Sequence, residues 1–205
     1  MRLPLSLSKH HSSHGHRVQV MFPMVSTVSE VQQARALLLE EKQALETAGI
    51  DTADNLTIGI MIETPAAVLN ARQLAAAVDF FSIGTNDLTQ YLMAADRGNS
   101  RVAELIDPLQ PPVIAAIARV AEAAQVAGIW VGVCGEIAGE PLVTPLLLGL
   151  GINELSMSAP AIGGVKAVIR TLEHAAAVEL AYYLLTLPDA KAVRSALQKF
   201  AERGL

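Results

Sequence analysis

Apolar and polar positions alternate along the chain between two rhythms. Nearly continuous apolar runs occur five times: VQVMFPM at 18–24, LTIGIMIE at 56–63, VDFFSI at 78–83, WVGVCGE at 130–136 and INELSMS at 152–158. Such runs suit parallel strands covered on both faces. Between them the apolar positions return at helical spacing. Val31, Ala34, Leu38 and Leu45 share one face of a helix that Thr27 and Glu30 open as a capping box and Gly49 stops. Further helical patterns cover 66–77, 112–127, 142–149 and 162–175. Two more follow the last strand, over 178–186 and 189–203, the second with Val193, Leu197 and Phe200 on one face. No linker-like stretch interrupts 18–205, which predicts one domain there.

The pattern is βα repeated five times. An open doubly wound sheet and a (β/α)8 barrel both accommodate it. The polar positions favour the barrel, because Glu63, Asp87, Glu136, Ser156 and Ser158 fall at the C-terminal ends of predicted strands, where barrel enzymes keep their sites. No Gly-x-Gly-x-x-Gly fingerprint follows the first run, which weakens a dinucleotide-binding reading. Five strands fall short of the eight in a closed barrel, so either three lie upstream or the architecture differs. A partial sheet has open edges at 18–24 and 152–158, and poor solubility of the isolated chain is expected.

Composition narrows the classes. With 52% hydrophobic and 17% charged residues, the 205-residue chain is not a disordered one. No run of about 18 uncharged apolar residues predicts a membrane span. Fifteen Lys and Arg against 20 Asp and Glu give no general footprint for nucleic acid. One cysteine excludes an internal disulfide and fits a reducing compartment; without a signal-peptide pattern, a cytoplasmic location is expected. Residues 1–17 hold His10, His11, His14 and His16 among Ser, Lys and Gly, with no Cys or carboxylate. They read as a disordered leader rather than a metal site.

The densest candidate chemistry lies at 78–99, VDFFSIGTNDLTQYLMAADRGN. A buried strand breaks at Gly84 into Thr85, Asn86, Asp87, Thr89 and Gln90, and Arg97 follows ten residues after Asp87. A carboxylate suited to a metal and a guanidinium suited to a phosphate make one reading. Asn86 and Asp87 as caps of the next helix make the other, and both stand at this point. Thr64 and Pro65 look like an N-cap and first helical position, so Glu63 is expected to face the mouth of the sheet. Cys134, between valine and glycine in an apolar run, reads by itself as inert packing.

Together, IGIMIETPAA at 58–67, DFFSIGTNDLTQY at 79–91, DRGN at 96–99 and VCGEIAG at 133–139 resemble one family. It is the phosphoenolpyruvate-protein phosphotransferases, enzyme I of the bacterial sugar phosphotransferase system. MFPM at 21–24 and ELSMS at 154–158 match it too. The resemblance runs from Val18 to the C-terminus and covers the later part of that family's C-terminal phosphoenolpyruvate-binding barrel. The fold class it implies is α/β of the (β/α)8 TIM-barrel type, here its last five βα units followed by C-terminal helices.

By resemblance, Glu63 and Asp87 are ligands of an essential Mg2+, Asn86 contacts the substrate and Arg97 binds its phosphate. Cys134 matches the family's acid, which protonates the enolate left when phosphoenolpyruvate loses its phosphoryl group. An ordinary thiol is mostly protonated at neutral pH and can donate. Glu136 is expected on the same side of the strand, orienting Cys134 or the substrate. The phosphoryl group would pass to a histidine on another domain and then to the histidine-containing phosphocarrier protein. None of the five histidines here sits in such a motif, and His174 stands alone in a helix. A homodimer through the barrel domain is implied, without nucleic acid or membrane. Two alternatives remain: the related barrel of a pyruvate phosphate dikinase, which shares GTNDLTQ but fits DRGN less well, and a non-catalytic remnant.

Overall fold

Five strands, β1 (Val18–Phe22), β2 (Leu56–Ile62), β3 (Phe80–Gly84), β4 (Trp130–Cys134) and β5 (Glu154–Leu155), form one sheet. The computed structural model describes residues 18–203. The leader expected at 1–17, with its histidines, lies outside the described residues. All neighbouring strands are parallel, and they lie in the order β1-β2-β3-β4-β5. A doubly wound sheet would reverse its order partway. Unreversed succession is the barrel type of α/β fold that the strand-end polar residues favoured.

The two faces of the sheet differ in chemistry because alternate residues point opposite ways. Ile60 and Ile62, Phe81 and Ile83, and Val131 and Val133 are fully buried in a core shared with the helices. The opposite face carries Gly59 and Met61, Phe80 and Ser82, and Trp130 and Cys134. There Phe80 stacks flat on Trp130, with ring centroids 4.4 Å apart and planes 3° from parallel. The register aligns Gly59 with Phe80 and Phe80 with Trp130.

Polar residues at the strand starts pin that register. Asp79, which interrupts the apolar run before β3, accepts the Ile58 N–H through Oδ2 at 2.7 Å, while its own N–H donates to the Ile58 carbonyl. Asn153 repeats the device before β5: Oδ1 accepts the Val131 N–H at 2.9 Å, and its N–H donates to the Val131 carbonyl.

The helices follow their caps. α1 (Val28–Thr47) opens on the expected capping box: Thr27 Oγ1 accepts the Glu30 N–H, and Glu30 Oε2 accepts the Thr27 N–H. The main-chain N–H groups of Ser26 and Thr27 hold the Glu30 carboxyl below its ordinary pKa. The single helix expected at 66–77 is two: α2 (Pro65–Leu69) and α3 (Ala71–Ala75), separated at Asn70. Asn70 leaves the helical path and donates through Nδ2 to the Ser26 carbonyl at 3.0 Å. That long-range bond has no signature in the local pattern.

α4 (Thr85–Leu92) starts directly after β3, a 3₁₀ turn covers Ser100–Leu105, and α5 (Pro111–Ala127) precedes β4. A second 3₁₀ turn (Glu136–Gly139) and α6 (Thr144–Gly149) follow β4. After β5 come α7 (Ala159–Thr171), α8 (His174–Leu184) and α9 (Ala190–Glu202). The boundary between α7 and α8 lies earlier than the pattern suggested, because Leu172 and Glu173 are extended; His174 is the first residue of α8. α8 packs on α6, and Leu180, Leu184, Val193 and Leu197 bring the last two helices into the common core. No helix among the described residues is long and apolar enough to cross a membrane.

Candidate functional site

The C-terminal ends of β1 to β4 gather the candidate residues. Glu63 is the first residue past β2. Thr64 caps α2 through a bond from the Ala67 N–H to Oγ1 at 3.1 Å, and Pro65 takes the first helical position. That turn aims Glu63 at the mouth, as its neighbours predicted. The carboxyl is not a surface group: Glu63 is only 3% exposed. Its Oε1 accepts the main-chain N–H of Met24, just past β1, at 2.6 Å.

Asp87 lies beside it. β3 ends at Gly84, which is also the N-cap of α4, and no side chain caps that helix. The capping reading of Asn86 and Asp87 is thereby excluded: both ride the first turn of α4 with side chains free for other partners. Asp87 adjoins the Glu63 carboxyl and, through Oδ1, accepts from Arg97 Nη2 at 2.6 Å. Arg97 is anchored a second time by Gln90 Oε1, which accepts its main-chain N–H and its Nε–H, each at 3.2 Å. Glu63, Asp87 and Arg97 thus converge on one point. Both partners of the ion pair are partly exposed, so its worth lies in geometry more than in stability.

Burial pushes the Glu63 carboxyl above its ordinary pKa of 4.5; the Met24 N–H opposes that, and the neighbouring Asp87 adds to the upward push. Two adjoining carboxylates, one of them buried, form an all-oxygen pair suited to a hard divalent cation such as Mg2+, which keeps other positions for water and substrate. Among the described residues no group of three or more His, Cys, Asp or Glu gathers that could hold a metal ion.

The same charge balance gives a test. The folded chain holds the Glu63 proton more tightly than the unfolded chain does. The resulting stabilisation is present below about pH 4.5 and is lost as pH rises through the raised folded value. Glu63→Gln keeps a carbonyl for Met24 and carries no charge. Without divalent cations it is expected to melt above the native chain near pH 7 and to lose that advantage near pH 4, by thermal denaturation. Equal shifts at both pH values would contradict the assignment.

Cys134 ends β4 on the same side. Its Sγ donates to the Ile83 carbonyl at 3.5 Å and accepts from Ser82 Oγ at 3.6 Å, so it is half-buried among polar neighbours rather than packed in the core. Gly135 then turns the chain with φ +109°. Thr85 Oγ1 donates to the Cys134 carbonyl at 3.0 Å, and Asn86 Oδ1 accepts the Glu136 N–H at 3.5 Å. These bonds tie the start of α4 to the end of β4.

Glu136 departs from expectation. The turn at Gly135 breaks the strand alternation, and Glu136 opens a 3₁₀ turn with its side chain exposed and no bond to Cys134. β5 is only two residues long, so the two serines sit beyond it. Ser156 Oγ pairs with Glu154 at 3.1 Å, and Ser158 precedes α7 without capping it.

The sequence reading passed over Met24, Gln90, Ser82, Thr85 and Gly135 as site residues. Met24 acts through its main chain, which residue type does not reveal. Gln90 and Thr85 stood in the polar cluster, with nothing to say what they would hold.

Residues 6–174 match the family described as PEP-utilising enzyme, PEP-binding domain. A phosphoenolpyruvate-protein phosphotransferase of Geobacillus stearothermophilus is 47% identical over 182 residues, covering 89% of this chain and 32% of that protein. The one from Bacillus subtilis is 51% identical over 151 residues, 74% of this chain and 26% of that protein. The chain spans about a third or less of the length of these curated relatives. Among solved structures, a citrate lyase from Burkholderia xenovorans LB400 superposes with a TM-score of 0.54 at 17% identity, over 91% of this chain and 64% of that one. RipC from Yersinia pestis gives 0.51 at 16% identity, over 77% and 66%. These two likenesses concern the fold alone.

Proposed function

The chain belongs to the PEP-utilising enzymes, as their PEP-binding domain, and from that premise we propose that residues 18–205 form the phosphoenolpyruvate- and Mg2+-binding part of a phosphoenolpyruvate-protein phosphotransferase. The observation that carries this reading is the convergence of Glu63, Asp87 and Arg97 at the ends of two adjacent strands. Glu63 and Asp87 would hold the ion. Bound Mg2+ offsets the negative charge on the substrate's oxygens. Everything else falls to side chains already in place.

Arg97 supplies a planar, permanent cation for the phosphate and exchanges its bond to Asp87 for one to the ligand. Gln90 keeps it at the mouth meanwhile. Asn86, held beside Gly135, offers its amide N–H to the substrate. After the phosphoryl group departs, the Cys134 thiol gives its proton to the methylene carbon of the enolate, which becomes pyruvate. Catalysis of this kind comes from positioning and electrostatics. In the whole protein the phosphoryl group goes to a histidine on another domain and then to the histidine-containing phosphocarrier protein in sugar uptake. That protein would work in the cytoplasm as a homodimer joined through its barrel domains.

Calorimetric titration of phosphoenolpyruvate with Mg2+ into the native chain and into Asp87→Ala tests the reading. Binding is expected to the native chain and to fall at least about tenfold in the variant, since losing even an outer partner of a metal site costs that much. A folded native chain that takes up no phosphoenolpyruvate would overturn it and favour the non-catalytic remnant.

A further inference from the structure

Met24, just past β1, has a backbone conformation that calls for a reason. Its φ is +57°, in the left-handed region that L-residues rarely adopt. Side-chain packing does not supply the reason, since Met24 is 50% exposed. What the conformation achieves is a main-chain contact. The Met24 N–H meets Glu63 Oε1 at 2.6 Å.

The loop around Met24 is tied down on the same side. Ser26 Oγ and Thr64 Oγ1 are 2.9 Å apart, and Asn70 Nδ2 donates to the Ser26 carbonyl at 3.0 Å. The residues following β1 are thus fastened to the turn that follows β2, with Glu63 beneath them. Its other oxygen, Oε2, lies against Gly84, where a Cβ would come within 3.0 Å of it and within 2.9 Å of the Met61 sulfur. One oxygen is taken by a main-chain donor, and the other has room only because residue 84 lacks a side chain.

We infer that Met24, through its main-chain N–H, is the positioning residue for Glu63. It fixes the rotamer of the carboxyl and occupies Oε1, so that Oε2 is the oxygen presented beside Asp87 to a divalent cation. A ligand side chain fixed beforehand loses little conformational freedom on binding, which strengthens affinity without a new contact. This inference rests on the reading of Glu63 as a cation ligand.

The test has two arms on the full chain. In the first, Mn2+ binding without substrate is followed from the free-ion electron paramagnetic signal. Met24→Pro, which has no N–H, is expected to bind Mn2+ at least about tenfold more weakly than the native chain. Met24→Asn keeps the N–H and tolerates the left-handed region, and it should bind about tenfold more tightly than Met24→Pro. Equal weakening in both variants would overturn the inference.

The second arm needs no metal. Exchange of the Met24 amide hydrogen, followed by nuclear magnetic resonance, should be slow in the native chain and in Glu63→Gln and about tenfold or more faster in Glu63→Ala. Unchanged exchange in Glu63→Ala would overturn the inference even if Met24→Pro fails to fold. A native chain with a protected Met24 amide but no affinity for Mn2+ would instead defeat the metal reading and, with it, Met24 as its positioning residue.

Discussion

Gly149→Ala is expected to lower the stability of the fold by about 3 kcal/mol, at the upper end of what forced overpacking costs, and the melting temperature by roughly 6–12 °C. Gly149 ends α6 where that helix crosses α8. A Cβ there would stand 2.1 Å from the carbonyl oxygen of Ala177 and 2.9 Å from the Ala181 Cβ. Both alanines are fully buried. The obstacle is helical backbone, which cannot rotate aside, so the two helices must part. Parting them opens the seam through which Leu180 and Leu184 join the core. Gly151→Ala is the comparison. Gly151 has φ +87° but nothing within 4 Å of a new Cβ, so that variant should cost only the conformational penalty of about 1–2 kcal/mol. Thermal melting of the pair separates close approach from backbone strain, and equal losses would refute the packing argument.

Gly135→Ala should do most damage to the site itself. Two costs combine. At φ +109° and ψ 179° the backbone lies in a region essentially reserved for glycine, at about 1–3 kcal/mol for another residue. The new Cβ would also fall 2.3 Å from Thr85 Oγ1 and 3.0 Å from Asn86 Oδ1. The first turn of α4 must then back away from β4, breaking the Thr85 bond to the Cys134 carbonyl and shifting Asn86 and Asp87 together. Loss of phosphoenolpyruvate binding by at least about tenfold is expected, since a displacement of about 1 Å is costly at a positioned site.

Adding Thr85→Ala to Gly135→Ala removes the tighter of the two contacts, that with Thr85 Oγ1, but leaves Asn86 Oδ1 and the backbone strain. The double variant should regain part of the lost melting temperature and not all of it. Adding Thr85→Ser, which keeps Oγ, should regain little. If Thr85→Ala simply adds its own destabilisation, the collision is not the cause.

The parts of this molecule readable in the sequence are those whose cause is local. The capping box of Thr27 and Glu30, the Thr64-Pro65 helix start and the five apolar runs depend on residues a few positions apart, and all are present. Glu63 and Asp87 were visible because a carboxylate at the end of a buried run has nothing apolar to do. What was not readable depends on contacts across the fold. Asn70 divides a helix because Ser26, on another loop, accepts its amide. Residue 135 must be glycine because Thr85, some fifty residues earlier, occupies the space above it. Glu136 was misplaced because alternation was extended past a glycine that turns the chain.

Strand order along the sheet repeats strand order along the chain, and this bears on how the protein assembles. Among the described residues each strand from β2 to β5 pairs with the one made just before it. The longest closure joins Phe80 to Trp130, because the Arg97 loop and α5 lie between them. Closure cost grows only logarithmically with length, so this step is harder than the roughly twenty-residue closure from β2 to β3 by only about 0.8 kcal/mol. A chain leaving the ribosome can add its strands one at a time, the general habit of domains made from the N-terminus. The addition of β5 onto β4 would be the least secure of them, with only two residues to pair, were it not that Asn153 clasps Val131 and holds the newcomer in register.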